Sequence, residues 1–80
     1  MPSGSPIPQF SRVALTQDLP DYGLKSGDIG TVVDVYRGGE GYEVEFFTLT
    51  GGTAAVATVR STQVRPVEDR EVASARRFAG

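Results

Sequence analysis

The stretch GLKSGDIGTVVDVY, residues 23–36, gives the clearest indication of the fold of this chain. Its second half, IGTVVDVY (29–36), is rich in β-branched residues, which favour strands. Its first half holds two glycines and an aspartate, residue types that favour tight turns. The stretch therefore predicts a tight turn that leads directly into a strand. We expect Gly27 to supply a positive φ, Asp28 to accept backbone N–H bonds, and Gly30 to allow a sharp bend or a close backbone approach.

The same glycines do not form a phosphate-binding loop. A Walker A loop ends in Gly-Lys-Ser/Thr, and that ending is missing from this stretch. A dinucleotide-binding fingerprint follows a strand and opens a helix, whereas here a predicted strand follows the glycines. The glycine pattern therefore indicates a corner of a small β-barrel rather than a nucleotide site.

Four further segments have strand-like patterns. They are SRVALT (11–16), YEVEFFTL (42–49), TAAVATVR (53–60) and VRPV (64–67). Two glycine-rich hairpin turns, RGGEG (37–41) and TGG (50–52), join the middle strands, and STQ (61–63) predicts a 3₁₀ turn before the last one. The long loop QDLPDYGLKSGD (17–28) separates the first two strands. These elements predict an all-β fold, a small SH3-like five-stranded barrel.

Alternation along the strands predicts which side chains enter the core. In YEVEFFTL we expect Tyr42 and Phe46 in the core and Phe47 on the opposite face. In IGTVVDVY strict alternation places Val32 and Val35 on opposite faces.

The chain is predicted to hold one domain between two terminal segments. Residues 1–9 contain three prolines, and we expect a disordered lead-in. Residues 10–67 form the barrel. In residues 68–80 acidic side chains come first and Arg76 and Arg77 come late, an order that suits a helix dipole. We expect this tail to be either partly helical or disordered.

The residue types exclude most catalytic chemistry. The 80 residues contain no cysteine and no histidine, which removes the thiolate and the imidazole as nucleophile, base or metal ligand. The carboxylates of Glu43 and Glu45 share one face of a strand, where a solvated surface explains them better than a catalytic pair. We therefore predict a non-enzymatic protein with no cofactor and no metal.

Charge and hydropathy limit the partners. Eight Lys and Arg residues against ten Asp and Glu residues give a net charge of −2, whereas nucleic-acid binding normally needs a basic excess. No apolar run approaches the roughly 20 residues of a membrane span. The N-terminus also lacks the basic and apolar regions of a signal peptide. We expect a cytoplasmic protein that binds no membrane.

Residues 13–67 resemble the bacterial DUF4926 family of small uncharacterised proteins. The motifs DLPDYGLKSGDIGTVV and YEVEF, followed by a glycine turn and the closing VRPV, carry this resemblance. It implies an SH3-like fold and brings no established activity.

GLKSGDIGTVVDV also resembles a KOW motif, which implies contact with RNA or with a transcription or ribosomal partner. Together with YEVEF it is similar to the SH3-like part of the nitrile hydratase β subunit, which covers and stabilises a metal-bearing partner subunit.

Three functions remain open at this point. The first is a protein-interaction module whose partner is encoded nearby, as in a toxin–antitoxin-like or enzyme–accessory pair. Its contacts are expected from the long loop and nearby aromatics, namely Leu19, Pro20, Tyr22, Leu24, Tyr36 and Phe47. Leu19 and Leu24 are also expected to anchor that loop from beneath. The second is a KOW-like nucleic-acid or ribosome-associated module that uses Lys25, Arg37, Arg60, Arg76 and Arg77. The third is a homo-oligomeric structural domain, such as a homodimer.

Overall fold

The computed structural model describes residues 6–78. The first five residues of the predicted lead-in and the last two of the tail lie outside the described residues. The strands are β1 Arg12–Leu15, β2 Ile29–Tyr36, β3 Gly41–Phe47, β4 Thr53–Arg60 and β5 Val64–Pro66. One-turn 3₁₀ helices at Pro20–Tyr22 and Ser61–Gln63 precede β2 and β5. The predicted all-β class is confirmed. Between residues 6 and 78 no helix is both long and apolar enough to cross a membrane.

All five strands form one antiparallel sheet in the order β4-β3-β2-β1-β5. Although β4 and β5 occupy opposite edges of the sheet, only Ser61–Gln63 separate them along the chain. In a flat sheet with a spacing of about 4.8 Å, the outer two of five strands would lie about 19 Å apart. The short connection spans at most about 14 Å. The sheet must therefore curl until its two edges approach each other, as they do in an SH3-like barrel.

The core fills the inside of the curled sheet. On β3, Tyr42 and Phe46 are buried and Phe47 is exposed, which confirms the predicted alternation. Leu19 and Leu24 are also buried, and each backbone N–H donates to the carbonyl of the other at 2.9 and 3.1 Å. This pair of hydrogen bonds closes the long loop over the core.

β2 departs from strict alternation at Val33, where a β-bulge interrupts its pairing with β3. Val32 is fully buried, and Val35 also packs against the core. The expectation that these two valines face opposite sides is wrong, because the bulge inserts one residue and reverses the alternation beyond it. The Gln9 side chain donates to the carbonyl of Val33 at 2.8 Å and gives the bulged strand a hydrogen-bond partner.

Both terminal segments contact the barrel where the structure describes them. The backbone N–H of Ile7 donates to the Tyr42 hydroxyl at 3.0 Å. The tail contains no helix among its described residues, 68–78, so the helical alternative is wrong for this part of the chain. Isolated helices of this length are marginal in water. Contacts of Arg76 and Phe78 with the barrel hold the tail in an irregular conformation instead.

The turn before β2 has the geometry that its residues suggest. Gly27 has a φ of +91°, and the Lys25 amide donates to Asp28 Oδ2 at 2.9 Å. A Cβ on Gly30 would lie only 2.6 Å from the Val44 side chain and 2.9 Å from a backbone carbonyl oxygen of β3. Glycine is therefore required at position 30 because β3 passes too close for any side chain.

We predict that Gly30→Ala lowers the free energy of unfolding by about 3 kcal/mol, since the added methyl group overlaps β3. Gly27→Ala is the comparison, because a Cβ at position 27 meets open space and only the positive φ is penalised, by about 1 kcal/mol. Urea unfolding at an unchanged m value measures both effects. Wild-type stability in Gly30→Ala would contradict the close approach of β2 and β3.

Candidate functional site

A groove with a volume of about 470 Å³ lies between the β3–β4 hairpin and the turn before β2. Six apolar residues of the barrel line one side of it, namely Leu24, Ile29, Phe46, Phe47, Leu49 and Ala54. We name the concave surface that these six residues form the apolar groove. Phe47 is 48% exposed and Leu49 is 85% exposed. Large apolar side chains that stay exposed beside a concavity are typical of interaction sites.

Local structure at the end of β3 holds these side chains outward. The pairing of β3 with β4 is irregular between Phe46 and Phe47, directly before the hairpin turn. The turn is closed by the Thr48 amide, which donates to the Gly52 carbonyl at 2.7 Å. The Thr48 hydroxyl also accepts from the Gly52 amide at 3.1 Å. These hydrogen bonds close the turn, and Leu49 lies exposed within it.

The tail crosses the apolar groove. Its residues 73–78, which we name the strap, contribute the opposite wall through Ala73, Ser74, Ala75, Arg76 and Phe78. The Phe78 side chain is partly buried and packs against the core. The strap covers the groove without filling it, since the volume given above lies between the strap and the barrel.

Asp28 anchors the strap to the barrel. Arg76 Nε donates to Asp28 Oδ1 at 2.9 Å, and Arg76 Nη2 donates to Oδ2 and also to the Gly23 carbonyl at 3.3 Å. A bidentate arginine–carboxylate pair is the strong form of this interaction. The Asp28 side chain is 18% exposed and that of Arg76 28%, so water screens the pair only in part.

Burial of Asp28 acts to raise its pKa, but hydrogen bonds from Arg76 and the Lys25 amide act in the opposite direction. Together with the positive charges of Arg76 and Lys25, they hold the pKa of Asp28 below its ordinary value. The Asp28 carboxylate is therefore ionised throughout the neutral range, with Arg76 as its cationic partner.

A second ion pair shapes the chain between β5 and the strap. Arg65 donates to both carboxylate oxygens of Glu71, at 2.8 and 2.6 Å, and the Glu68 amide donates to Glu71 Oε1 at 2.7 Å. The Arg65 hydrogen bonds, followed by the one from the Glu68 amide, lower the pKa of Glu71 to about 2. These contacts join residues 68–71 to the end of β5, close to the start of the strap.

The residues predicted to bind a partner do not form one surface. Phe47 lies in the apolar groove, and Leu24 is a buried part of its floor. Pro20 and Tyr22 are exposed on the first 3₁₀ turn. Tyr36 is exposed at the end of β2, where its hydroxyl donates to Glu43 at 3.1 Å.

Leu19 contributes to the core and not to a binding surface. Its side chain is buried among the core residues, because the loop folds back on itself through the backbone pairing with Leu24. Of its two predicted roles, the structure therefore shows the anchor.

The basic residues proposed for nucleic acid also lie apart. Arg37 and Arg60 border a second, more open cleft at the other hairpin of β3. Arg76 is paired with Asp28, and Lys25 lies next to the same carboxylate. Arg77 is exposed in the strap. Within residues 6–78, no group of three or more His, Cys, Asp or Glu residues is placed to hold a metal ion.

Sequence reasoning missed Ile29, Leu49 and Phe78 as groove residues, and it missed the pairing of Asp28 with Arg76. That pair spans 48 positions, so no local pattern signals it. The strand pattern extends to Leu49, whereas in the structure this residue belongs to the hairpin turn. The only local signal that Leu49 belongs to the turn is its position between two threonines, just before the glycines.

The family model of a domain of unknown function, DUF4926, matches residues 9–66. The chain belongs to this family. The DUF4926 match contains the apolar groove and Asp28, whereas the strap lies beyond it. The resemblances to KOW motifs and to the nitrile hydratase β subunit are not shown by this match. Searches of curated proteins and of solved structures found no match to the chain.

We predict that Arg76→Ala raises the pKa of Asp28. The substitution removes the hydrogen bond and the positive charge that lower this pKa, while the burial that raises it remains. The shift should be visible in a pH titration of the Asp28 carboxyl carbon by NMR. The lowered pKa of Asp28 also sets the direction in which strap docking depends on pH. The ion pair's contribution to strap docking is complete above the ordinary aspartate pKa of about 4 and is lost as pH falls through the lowered value.

Arg77→Ala is the matched control, since it removes the neighbouring arginine and leaves the Asp28 pairing intact. An Asp28 pKa that does not change in Arg76→Ala, or that changes equally in Arg77→Ala, would show that Arg76 does not reach this carboxylate.

Proposed function

We propose that this protein is a non-catalytic protein-interaction module that binds a partner protein in the apolar groove. The observation that carries the proposal is the exposure of Phe47, at the end of β3, and of Leu49, on the hairpin turn that follows, beside the groove. Burial of such side chains contributes about 1.5–3 kcal/mol each, and the strap leaves most of that unrealised. A partner that covers them gains this free energy.

The chemistry of the groove favours protein over nucleic acid. The barrel side of the groove is largely apolar, and its carboxylate, Asp28, suits a cationic group rather than a phosphate. An apolar surface with one ionised acceptor is suited to aliphatic and aromatic side chains together with one cationic group. We place the module in the cytoplasm as part of this proposal, in keeping with a chain that contains no cysteine.

The test is affinity capture from native lysate with the full chain carrying an N-terminal tag. The groove variant combines Phe47→Ser with Leu49→Ser. Val72→Ser is the matched control, because Val72 is 89% exposed and lies outside the groove lining. We predict a protein that wild type and Val72→Ser retain at equal yield after nuclease treatment. The groove variant should lose it about ten-fold, the cost of roughly 1.4 kcal/mol.

Circular dichroism first establishes that each variant is folded. Equal retention by the groove variant would contradict the proposal. Nucleic acid in the eluate, removed by raising the salt concentration, would instead support the KOW-like alternative with Arg37 and Arg60.

A further inference from the structure

The strap shows what kind of segment the apolar groove accepts. Arg76 binds Asp28, and Phe78, two positions later, packs against the core. The strap is not helical, so its contacts come from an irregular stretch of chain. The groove is therefore shaped for a cationic group and an aromatic ring that follows it at a spacing of two residues.

The site favours arginine over lysine at the cationic position. The guanidinium satisfies both oxygens of Asp28 and the Gly23 carbonyl together. A lysine ammonium is a single point charge and cannot match this planar arrangement. Asp18 in the same loop adds negative charge, and its side chain is held by the Ser26 amide at 2.8 Å.

The strap is a poor fit at the positions before the arginine. Ala73, Ser74 and Ala75 line the groove with small side chains and leave the void open. Leu49 remains exposed beside it. A segment with larger apolar side chains at these positions would fill the void and bury more of the groove wall, and each buried methylene contributes about 0.8 kcal/mol.

Tethering compensates the strap for this poor fit. Only residues 67–72 separate the strap from the end of β5. This connection is short and is itself joined to β5 by the Arg65–Glu71 pair. It presents the strap to the groove at an effective concentration on the order of millimolar, so weak contacts suffice to keep the strap docked. A separate partner has no such tether, so it displaces the strap only if it packs better in the groove.

We propose that the apolar groove binds a partner segment that carries an arginine two positions before an aromatic residue, with large apolar side chains ahead of the arginine, and that the strap is an intramolecular competitor for this site. This inference rests on the proposed function and specifies its partner. Arg76 and Phe78 of the strap thus imitate the arginine and the aromatic residue of this partner segment.

The test uses a fluorescein-labelled peptide of residues 72–80, VASARRFAG, and fluorescence anisotropy. The full chain is compared with a full-chain open variant that combines Arg76→Ala with Phe78→Ala. We expect the open variant to bind the peptide about ten-fold more tightly, because the wild-type site is accessible only while the strap is undocked. A peptide with Ala73→Leu and Ala75→Leu should bind about ten-fold more tightly again.

The preference for a cationic group is tested by one substitution in the peptide and one in the protein. The peptide with Arg76→Glu should bind the open variant at least about ten-fold more weakly. Asp28→Asn in the open variant should weaken the unmodified peptide similarly, whereas Asp21→Asn, its control in the same loop, should not. Because Asp28 also supports the turn, the charge-reversed peptide gives the same information with Asp28 left unchanged.

Failure of the peptide to bind the open variant would overturn the inference, as would equal affinity for the open variant and wild type. A wild-type dimer that dissociates in the open variant would assign the groove to a second copy's strap and reject the separate partner. If the peptide fails while the groove variant still loses its captured protein, only the proposed partner sequence is wrong. If both tests fail, the proposed function falls as well.

Discussion

Asp28 is the residue on which the other parts of the structure converge. Its backbone carbonyl accepts from the Leu15 amide at 2.9 Å and so joins the end of β1 to the turn before β2. Its side chain closes that turn through the Lys25 amide and binds the strap through Arg76. One short side chain thus serves the fold and the candidate site together. The residue that anchors the strap is held in place by the barrel itself.

The close approach of β2 and β3 positions the groove. Gly30 pairs with Phe46, and a side chain at position 30 would overlap β3. This register brings Asp28 next to the end of β3, where the exposed Phe47 and the hairpin turn begin. A glycine pattern that resembles a nucleotide-binding loop therefore builds a barrel corner, and the corner becomes one wall of an apolar groove.

The sequence predicts the local parts well and the long-range parts poorly. The five strands, the 3₁₀ turn at Ser61–Gln63 and the burial of Tyr42 and Phe46 follow from alternation and turn residues. The sequence predicts only a loop where the 3₁₀ turn at Pro20–Tyr22 lies. The bulge at Val33 does not, because nothing in a run of valines marks the inserted residue. The tail was ambiguous for a related reason. Its charges suit a helix, but pairing with Asp28 across the fold decides its conformation.

Both the proposed function and the competitor role of the strap depend on the strap lying in the apolar groove of the full chain in solution. The most direct measurement is the set of NMR nuclear Overhauser contacts from the Phe78 ring at neutral pH. We expect contacts from the ring to groove side chains such as Leu24 and Phe46, and we expect Asp28→Asn to abolish them. A Phe78 ring with no contact to the groove in the wild-type chain would contradict this docking of the strap.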